Sequence, residues 1–394
     1  MITRTASLAL PLFAGDHRCS NGQDRNWLRP VHLTPCQYEH NPEYDNDVLS
    51  LAGTGLGFSA CDVLTKTAAG FSVSRMSVQA LIASAKATGA DALALAQHML
   101  EQFTAPRDDF ANLAMTNQHS PHIMGIINVT PDSFSDGGDH IQSDIAIRSG
   151  IAMAEAGASI LDIGGESTRP GAETVPEAEE CRRILPVINA LAKAGYCVSA
   201  DTRHTSVMEQ AMAQGATLIN DVGGLRAQGS ADLIARIDAP VIIMHMQGEP
   251  GTMQKQPHYD FVAADVYDWL EQRINMAVSK GINKQNIAVD IGFGFGKTPQ
   301  HNMVLMAWLS MFHGLGVPLL LGASRKSSIA HFSNGEGAKD RLPGSLALAT
   351  CGYAQGVQMM RVHDVPETRQ ALALAKAVRF GEADLAEANK DGIS

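Results

Sequence analysis

Polar and charged side chains recur in this sequence at the ends of short apolar runs, and they fall into two chemical groups. The first group supplies carboxylates and an amide, from Asp201, Asn220 and Asp290. A carboxylate can accept two parallel N–H bonds, so these residues suit a flat heterocycle with an amidine-like donor edge. The second group consists of the cations Arg169, Lys326, Arg361 and His363. In a chain with a formal charge of −11, a local cluster of cations predicts a site for a phosphate or a carboxylate.

A possible anion site also follows from the local pattern around residue 327. The apolar run LLLGAS (319–324) leads directly into RKSSI, which predicts that Ser327 lies at the start of a helix. The free backbone N–H groups of a helix N-terminus favour a negative charge. We therefore expect Ser327 to lie at the anionic end of a ligand.

Several other functional classes lack their sequence signatures. The chain has no Ser-His-Asp order, P-loop or HExxH motif, which disfavours hydrolases, nucleoside triphosphatases and zinc proteases. Its six cysteines are scattered, without CxxC or Cys/His ligand spacing, so they predict neither a structural zinc site nor a disulfide framework. Since 41 Asp and Glu outnumber 30 Lys and Arg, broad binding to nucleic acid or an anionic membrane is disfavoured. With no apolar run near membrane-spanning length, the sequence predicts a cytoplasmic enzyme.

From Ile123 onward, short β-branched runs alternate with longer amphipathic stretches. Eight runs can be counted: IMGIINV, SILDIGG, YCVSADT, TLINDV, VIIMHMQ, IAVDIG, LLLGAS and QMMRVHD. The stretches between them have helical periodicity, as in residues 259–281. Eight strand and helix units predict an α/β protein with a (β/α)8 TIM barrel. A doubly wound open sheet is the alternative, but its dinucleotide-binding form is disfavoured because no GxGxxG turn follows the first strand.

The barrel prediction places many polar residues at one rim, because a barrel builds its site where the strands deliver their C-terminal ends. A helix-capping role could explain a single member such as Asn220, but not the whole set. The expected rim residues are Asn128, 166–169, Asp201, Asn220, Asp221, His245, Gln247, Asp290, 324–326, Arg361 and His363.

The N-terminal third differs from the rest of the chain. Its first part is polar and rich in turn residues, and residues 76–104 have a helix-like pattern interrupted near Gly89. We predict an N-terminal extension of mixed or helical structure over residues 1–120, the barrel over 121–382 and a C-terminal tail over 383–394. The extension carries no motif that assigns it an activity.

Eight segments of the chain, in order, resemble the dihydropteroate synthases of bacteria, which join a pterin to 4-aminobenzoate. The segments are MGIINVTPDSFSDGG (124–138), ESTRPGA (166–172), ADT (200–202), INDV (219–222), MHMQGEPGTMQ (244–254), DIGFGFGK (290–297), GASRKSSI (322–329) and RVHDV (361–365). The order of so many motifs makes the resemblance specific, whereas one motif alone would be weak. One departure is visible: the family commonly has proline after the aspartate of the sixth strand, where this chain has Ile291.

The resemblance implies a role for each matching residue. It implies pterin contacts from Asp201, Asn220, Asp290 and Lys326. It implies pyrophosphate and magnesium contacts from Arg361, His363 and Asn128, with Asn128 as the metal ligand. Thr168 and Arg169 match a mobile second loop. Phe134, Pro170, Phe295 and Ser327 match the walls and the anionic end of the aminobenzoate pocket. Arg169, Lys326, Arg361 and His363 are expected to act in catalysis.

The resemblance also implies a reaction, a cofactor and partners. The reaction condenses (7,8-dihydropterin-6-yl)methyl diphosphate with 4-aminobenzoate to give 7,8-dihydropteroate and diphosphate. Mg²⁺ is the implied cofactor, and a homodimer with small-molecule substrates and no nucleic acid or membrane partner is expected. The alternative is a pterin-binding methyltransferase module that passes a methyl group from methyltetrahydrofolate to a corrinoid protein. The pyrophosphate motifs favour the synthase, because methyl transfer needs no pyrophosphate site.

Overall fold

The computed structural model describes residues 3–4, 25–36, 48–67, 70–116, 120–129, 139–166 and 175–381. Five residues that the sequence analysis assigned to the site, Phe134, Ser167, Thr168, Arg169 and Pro170, lie outside the described residues, as does the expected C-terminal tail.

Eight parallel strands close into a barrel, which confirms the predicted TIM-barrel fold. They are β6 (His122–Asn128), β7 (Ile160–Gly164), β8 (Val198–Asp201), β9 (Leu218–Asp221), β10 (Val241–Met244), β11 (Ile287–Asp290), β12 (Leu319–Leu321) and β13 (Met359–Val362). Each strand pairs with its neighbour in the chain, and β13 pairs with β6 to complete the barrel. The C-terminal strand ends therefore share one rim, as the sequence pattern predicted.

Helices surround this barrel. They are α3 (Asp139–Glu155), α4 (Glu177–Lys193), α5 (Thr205–Ala213), α6 (Ser230–Ile237), α7 (Val262–Ser279), α8 (Pro299–Ala307), α9 (Ser327–Phe332), α10 (Leu342–Tyr353) and α11 (Val365–Phe380). Within the described part of the chain, no helix combines the length and apolar character needed to cross a membrane.

Side chains alternate along each barrel strand, so every second residue faces the interior. Outward residues such as Ile163, Ile243 and Val289 belong to the main apolar core, which also includes helix residues. Inward residues near the N-terminal strand ends form a separate apolar cluster, which contains Met124, Ile160, Leu218, Ile242, Ala288, Leu320 and Met359. Two residues further along, four of these strands carry Asp162, Asn220, Asp290 and Arg361. The barrel interior thus changes from apolar to polar over two residues of each of these four strands.

The N-terminal part contains both strands and helices, as the prediction of a mixed extension allowed. Its sheet has the order β1 (Thr3–Arg4), β5 (Gly70–Ser77), β4 (Leu56–Thr67), β2 (Arg25–Pro35), with β3 (Leu49–Leu51) pairing with β4. The predicted helical stretch is confirmed as α1 (Val78–Thr88) and α2 (Ala90–Thr104). Gly89 separates these helices with φ of 147°, a conformation that favours glycine. The long strands β4 and β5 were not expected from the sequence.

A tight hairpin before β6 fills the N-terminal end of the barrel. Phe110 and Leu113 exchange two backbone hydrogen bonds of 2.9 Å, and both residues between them have positive φ. Phe110 and Met115 are fully buried against the inward apolar residues of the strands. The hairpin thus closes the end of the barrel opposite the polar rim, and we call residues 110–115 the plug.

Polar contacts also join the N-terminal part to the outside of the barrel. The indole Nε1 of Trp27 donates to Asp268 on α7 at 2.7 Å. Arg107, which is buried, donates to the carbonyl oxygen of His313 at 2.6 Å. Both parts therefore contribute to a common interface, although the predicted boundary at residue 120 stays a prediction.

We expect Phe110→Ala to destabilise the whole fold, because it empties the centre of the plug. Large-to-small changes of buried phenylalanine typically cost about 3–5 kcal/mol. Urea unfolding monitored by circular dichroism would measure the loss, and Phe332→Ala is a matched control because Phe332 is 54% exposed. The control should change stability by less than about 0.5 kcal/mol. Loss confined to a separate early transition would contradict a shared core of plug and barrel.

Stability should also fall as the pH is lowered from about 6.5 towards 3, partly through His313. Burial, with a contribution from nearby Arg107, lowers the pKa of His313 to about 3. Between these pH values the unfolded chain binds a proton that the folded chain does not, so this contribution is complete above the unfolded pKa and is lost on acidification. One such group adds at most about 1.4 kcal/mol per pH unit. Urea unfolding at several pH values should give a shallower slope for His313→Gln, whereas His98→Gln, at an exposed position, should leave the slope unchanged.

Candidate active site

Polar side chains from different strands meet inside the C-terminal mouth of the barrel, where they form a floor. Its members are Asp162 on β7, Asp201 on β8, Asn220 on β9, Asp290 on β11 and Arg361 on β13. Each of the five lies an even number of residues along its strand from another inward position. Because side chains alternate along a strand, all five face the interior of the barrel. The prediction that Asp201, Asn220, Asp290 and Arg361 come together agrees with this arrangement.

Arg361 links the floor by two short ion pairs. Its Nε donates to Asp162 Oδ2 and its Nη2 donates to Asp201 Oδ2, each at 2.6 Å. Asn220 Nδ2 donates to the same Asp162 oxygen at 3.2 Å. The two carboxylates beside the guanidinium raise the pKa of Arg361 against the opposing effect of its burial, so the residue stays a cation. Arg361 is therefore part of the floor, in addition to the role towards pyrophosphate that the resemblance implied.

Burial raises the pKa of both Asp201 and Asp290. At Asp201, Arg361 opposes the rise in pKa and Asp162 adds to it. At Asp290, the backbone N–H of Gly292 opposes the rise in pKa by donating to Oδ1 at 2.7 Å. A ligand that donates hydrogen bonds to these carboxylates therefore stabilises their ionised form.

The segment GFGFG after β11 forms one wall of the mouth, and its alternating glycines explain its shape. Gly292, Gly294 and Gly296 have φ of 65°, 84° and 60°, which L side chains rarely adopt. A Cβ on Gly292 would lie 1.8 Å from the His245 carbonyl oxygen, so no side chain fits there. Phe293 packs into the main core, whereas Phe295 lies with methionines of β10 and the loop after it at the mouth.

Lys326 and Ser327 lie beside this wall. Lys326 Nζ is 3.9 Å from the centroid of the Phe295 ring, within the range of a cation–π contact. Helix α9 begins at Ser327, as predicted, and the serine is exposed. The next residue, Ser328, is buried and accepts a hydrogen bond from Asn302 Nδ2 at 2.9 Å. Phe295, assigned by the resemblance to the aminobenzoate pocket, and Lys326, assigned to the pterin pocket, are therefore in contact.

His363 follows β13 at the mouth and differs from the sequence expectation in charge. Its Nδ1 lies 3.0 Å from Ser324 Oγ. Burial, followed by the charges of Arg361 and Arg325, lowers the pKa of His363 to about 3. The ring is therefore neutral near pH 7 in the unliganded protein, and not the cation that the residue type suggested. An anion bound beside it would raise this pKa.

Asn128 ends β6 and is paired in register with Gly164 on β7. A Cβ at position 164 would lie 3.4 Å from Asp201 Oδ2, so glycine leaves space between the ends of β7 and β8. Among the described residues, no group of three or more His, Cys, Asp or Glu side chains could hold a metal ion by itself. Carbonyl oxygens are among the ligands that suit Mg²⁺, and substrate phosphates usually supply others, so the amide oxygen of Asn128 fits that type of site.

Some residues expected at the rim have side chains that serve the surrounding structure. Asp221 accepts 2.7 Å bonds from the backbone N–H groups of Gly223 and Leu225, which holds the loop after β9. His245 is buried against Trp269 of α7, with ring centroids 5.0 Å apart. They lie at the correct end of the barrel but outside its interior.

Glu166 and Gln247 hold neighbouring segments of the rim. Glu166 accepts two bonds from Arg203, at 2.9 and 3.1 Å. Gln247 bonds to the backbone of His258 through both its amide oxygen and its amide nitrogen.

Two buried charges at this end of the barrel were not singled out from the sequence. Asp162 lies within SILDIGG, where the period of two places it on the same face as Ile160 and Gly164, so a signal was present. Lys297 ends the GFGFGK motif but is only 2% exposed, and nothing in its loop-like context indicated burial. The departure at Ile291 is accommodated in the main core, where its side chain is fully buried.

Comparisons with known proteins agree with this geometry. A family model described as pterin binding enzyme matches residues 124–363. The dihydropteroate synthase of Escherichia coli is 44% identical over 269 residues, which cover 68% of this chain and 95% of that relative.

Solved structures give the same result. A Xanthomonas albilineans dihydropteroate synthase with 4-aminobenzoic acid is 46% identical with a TM-score of 0.63, covering 66% of this chain and 94% of that one. A Yersinia pestis dihydropteroate synthase in complex with a sulfonamide drug is 44% identical with a TM-score of 0.63, covering 66% and 95%. These relatives do not favour the alternative methyltransferase module. The chain therefore belongs to the pterin-binding enzyme family and, within it, to the dihydropteroate synthases.

Proposed function

We propose that this chain condenses (7,8-dihydropterin-6-yl)methyl diphosphate with 4-aminobenzoate to give 7,8-dihydropteroate and diphosphate. The observation that carries the proposal is the floor of Asp162, Asp201, Asn220, Asp290 and Arg361 inside the barrel mouth. It is a mainly acceptor surface with the chemistry that the donor edge of a pterin requires.

The pterin half of the reaction uses the carboxylates and the amide of the floor. Asp290 and Asp201 accept from the ring N–H groups and the amino group, and Asn220 bonds to a ring nitrogen. Lys326 faces the pterin carbonyl oxygen. The carboxylates of Asp201 and Asp290 accept hydrogen bonds from the ring N–H groups, which favours positive charge on the ring.

The leaving-group half uses residues at the ends of β6 and β13. Arg361 and His363 lie next to the diphosphate, and its charge raises the pKa of His363 so that the imidazole can donate. Asn128 is the proposed protein ligand of Mg²⁺, which when bound neutralises charge on the diphosphate. Thr168 and Arg169 of the second loop, which lie outside the described residues, are proposed to complete this side.

The aminobenzoate half uses the wall beside Phe295. The aromatic ring of the substrate packs against Phe295, and its carboxylate lies at Ser327. Phe134 and Pro170, which are outside the described residues, are proposed to supply the remaining walls. The relative solved with 4-aminobenzoic acid supports a pocket of this kind.

The chemistry requires no protein nucleophile. The bond between the pterin methylene carbon and the diphosphate oxygen breaks, and its electron pair leaves with the diphosphate. The amine nitrogen of 4-aminobenzoate then forms the new bond to that carbon and loses a proton. The acceptor-rich floor stabilises the electron-poor pterin between these two steps.

A homodimer, implied by the resemblance, and a cytoplasmic location, expected from the sequence, stay predictions. The exposed apolar side chains of Leu374 and Val378 on α11 are compatible with a protein contact, but they do not identify one.

Diphosphate release that requires both substrates is the direct test of the proposed function. We expect release with the dihydropterin diphosphate and 4-aminobenzoate together, and none when either is omitted. A sulfonamide should compete with 4-aminobenzoate and not with the pterin, because it is an aryl amine with an acidic group of similar reach. Steady-state kinetics at several concentrations of both substrates would measure this. Release without 4-aminobenzoate, or inhibition that is not competitive with it, would count against the proposed site.

Asp290→Asn should weaken pterin binding by roughly 10- to 100-fold, because loss of a charged acceptor from a buried hydrogen-bonded site typically costs about 1.5–3 kcal/mol. Titration calorimetry with a pterin lacking the diphosphate would isolate this effect from the leaving group. Asp232→Asn is a matched control, since Asp232 is a 64% exposed partner of Lys280. Near-normal pterin affinity in Asp290→Asn would exclude the proposed role of the carboxylate.

A further inference from the structure

A lysine lies buried behind the GFGFG wall, where it is held by neutral acceptors. Lys297 Nζ lies 2.9 Å from the carbonyl oxygens of Gly292 and Phe295, and also 2.9 Å from His245 Nδ1. Among the described residues, no carboxylate forms an ion pair with it. An ammonium group has three N–H donors, so these three partners match its full capacity.

This arrangement is unusual on energetic grounds. Burial of a charge without a counter-ion is costly, and a methionine of similar length would avoid that desolvation. Burial accordingly lowers the pKa of Lys297 well below its usual value. The compensating interactions are bonds to backbone oxygens of the wall, in the manner of a cation bound by carbonyl groups.

The carbonyl groups that Lys297 binds belong to a segment outside the barrel strands. Phe295 lies five residues beyond the end of β11, and its backbone N–H bonds only to Gly292 of the same turn, at 3.0 Å. Tyr259 Oη donates to the Gly296 carbonyl oxygen at 2.7 Å, and Gly294 N–H donates to Asn302 Oδ1 at 2.8 Å. Gln254 Nε2 donates to the Gly294 carbonyl oxygen at 2.8 Å, on the N-terminal side of Phe295, and Lys297 Nζ donates to the carbonyl oxygen of Phe295 itself.

We propose that Lys297 is a positioning residue for the 4-aminobenzoate pocket. Lys297 Nζ donates to the Phe295 carbonyl oxygen at 2.9 Å, which holds this peptide and, through it, the ring that lies against Lys326. Ladder hydrogen bonds to β10 and β12 hold the backbone of Asp290, whereas Lys297 acts on its carboxyl group through charge, by opposing the rise in its pKa. The proposal rests on the proposed function, since the substrate that contacts Phe295 is taken from it.

The main test is Lys297→Met, which keeps the length of the side chain and removes its donors. We expect the KM for 4-aminobenzoate to rise by about 10- to 100-fold, the range seen when supporting contacts of a site are lost. The Kd of a pterin lacking the diphosphate should change by less than about threefold, because Asp290 stays in its strand. Lys280→Met, at a half-exposed lysine paired with Asp232, is the matched control and should change neither value.

A double-mutant cycle separates positioning from general destabilisation. If Lys297 acts through the Phe295 ring, Lys297→Met should add little to the KM increase caused by Phe295→Ala. Additive increases, or an equal loss of pterin affinity, would overturn the proposal.

A milder variant covers the case in which Lys297→Met does not fold. Tyr259→Phe removes one hydroxyl group that bonds to the same wall, and we expect a KM increase of about threefold with unchanged pterin affinity. Unchanged KM in every folded variant would overturn the proposal.

Hydrogen exchange of residues 291–298 provides a readout that does not depend on turnover. It should be faster in Lys297→Met or Tyr259→Phe than in the wild type. Inactive wild-type enzyme would contradict the proposed function alone, whereas unchanged exchange would contradict the positioning role alone.

Discussion

The guanidinium of Arg361 between Asp162 and Asp201 is the contact on which the rest of the site depends. It joins β13 to β7 and β8, across the position where β6 completes the barrel. Charges buried in this way are costly to desolvate, and loss of one partner leaves the others uncompensated at a cost of about 3–5 kcal/mol. The floor can therefore exist only when the last strand has joined the first, so closure of the barrel and assembly of the site are coupled.

The electric field of Arg361 and its two carboxylate partners also affects the pKa values of neighbouring groups. At Asp290, where burial raises the pKa, Arg361 is among the charges that oppose the rise, and at His363 it adds to the lowering of the pKa by burial. Arg361 thus favours the ionised, hydrogen-bond-accepting form of Asp290 on one side of the mouth and the neutral imidazole of His363 on the other. The two halves of the substrate have opposite requirements, since the pterin edge donates hydrogen bonds and the diphosphate accepts them. In the proposed function Arg361 contributes to both, because it pairs with carboxylates of the floor and its charge attracts the diphosphate.

The sequence was informative where a period or a motif carries physical meaning. Alternation of apolar runs and amphipathic stretches predicted the barrel, and the polar ends of those runs predicted that Asp201, Asn220 and Asp290 would meet. Asp162 could have been found by the same alternation, since it is a charge within an apolar strand. The neutrality of His363 and the burial of Lys297 could not, because both depend on packing between segments that are distant in the chain. For the same reason, the long strands β4 and β5 and the plug were missed, as their pairing partners are not marked locally.

The plug has a consequence for the order of events during synthesis. Phe110 leaves the ribosome before any barrel strand, but its binding site is lined by residues from Met124 to Met359. Domains tend to form from the N-terminus as the chain emerges, yet this hairpin has no complete partner until more than 240 further residues have been made. Contacts with such long sequence separation form slowly. The nascent chain consequently exposes an apolar hairpin for most of its translation, and this interval is the one in which a chaperone would have most to protect.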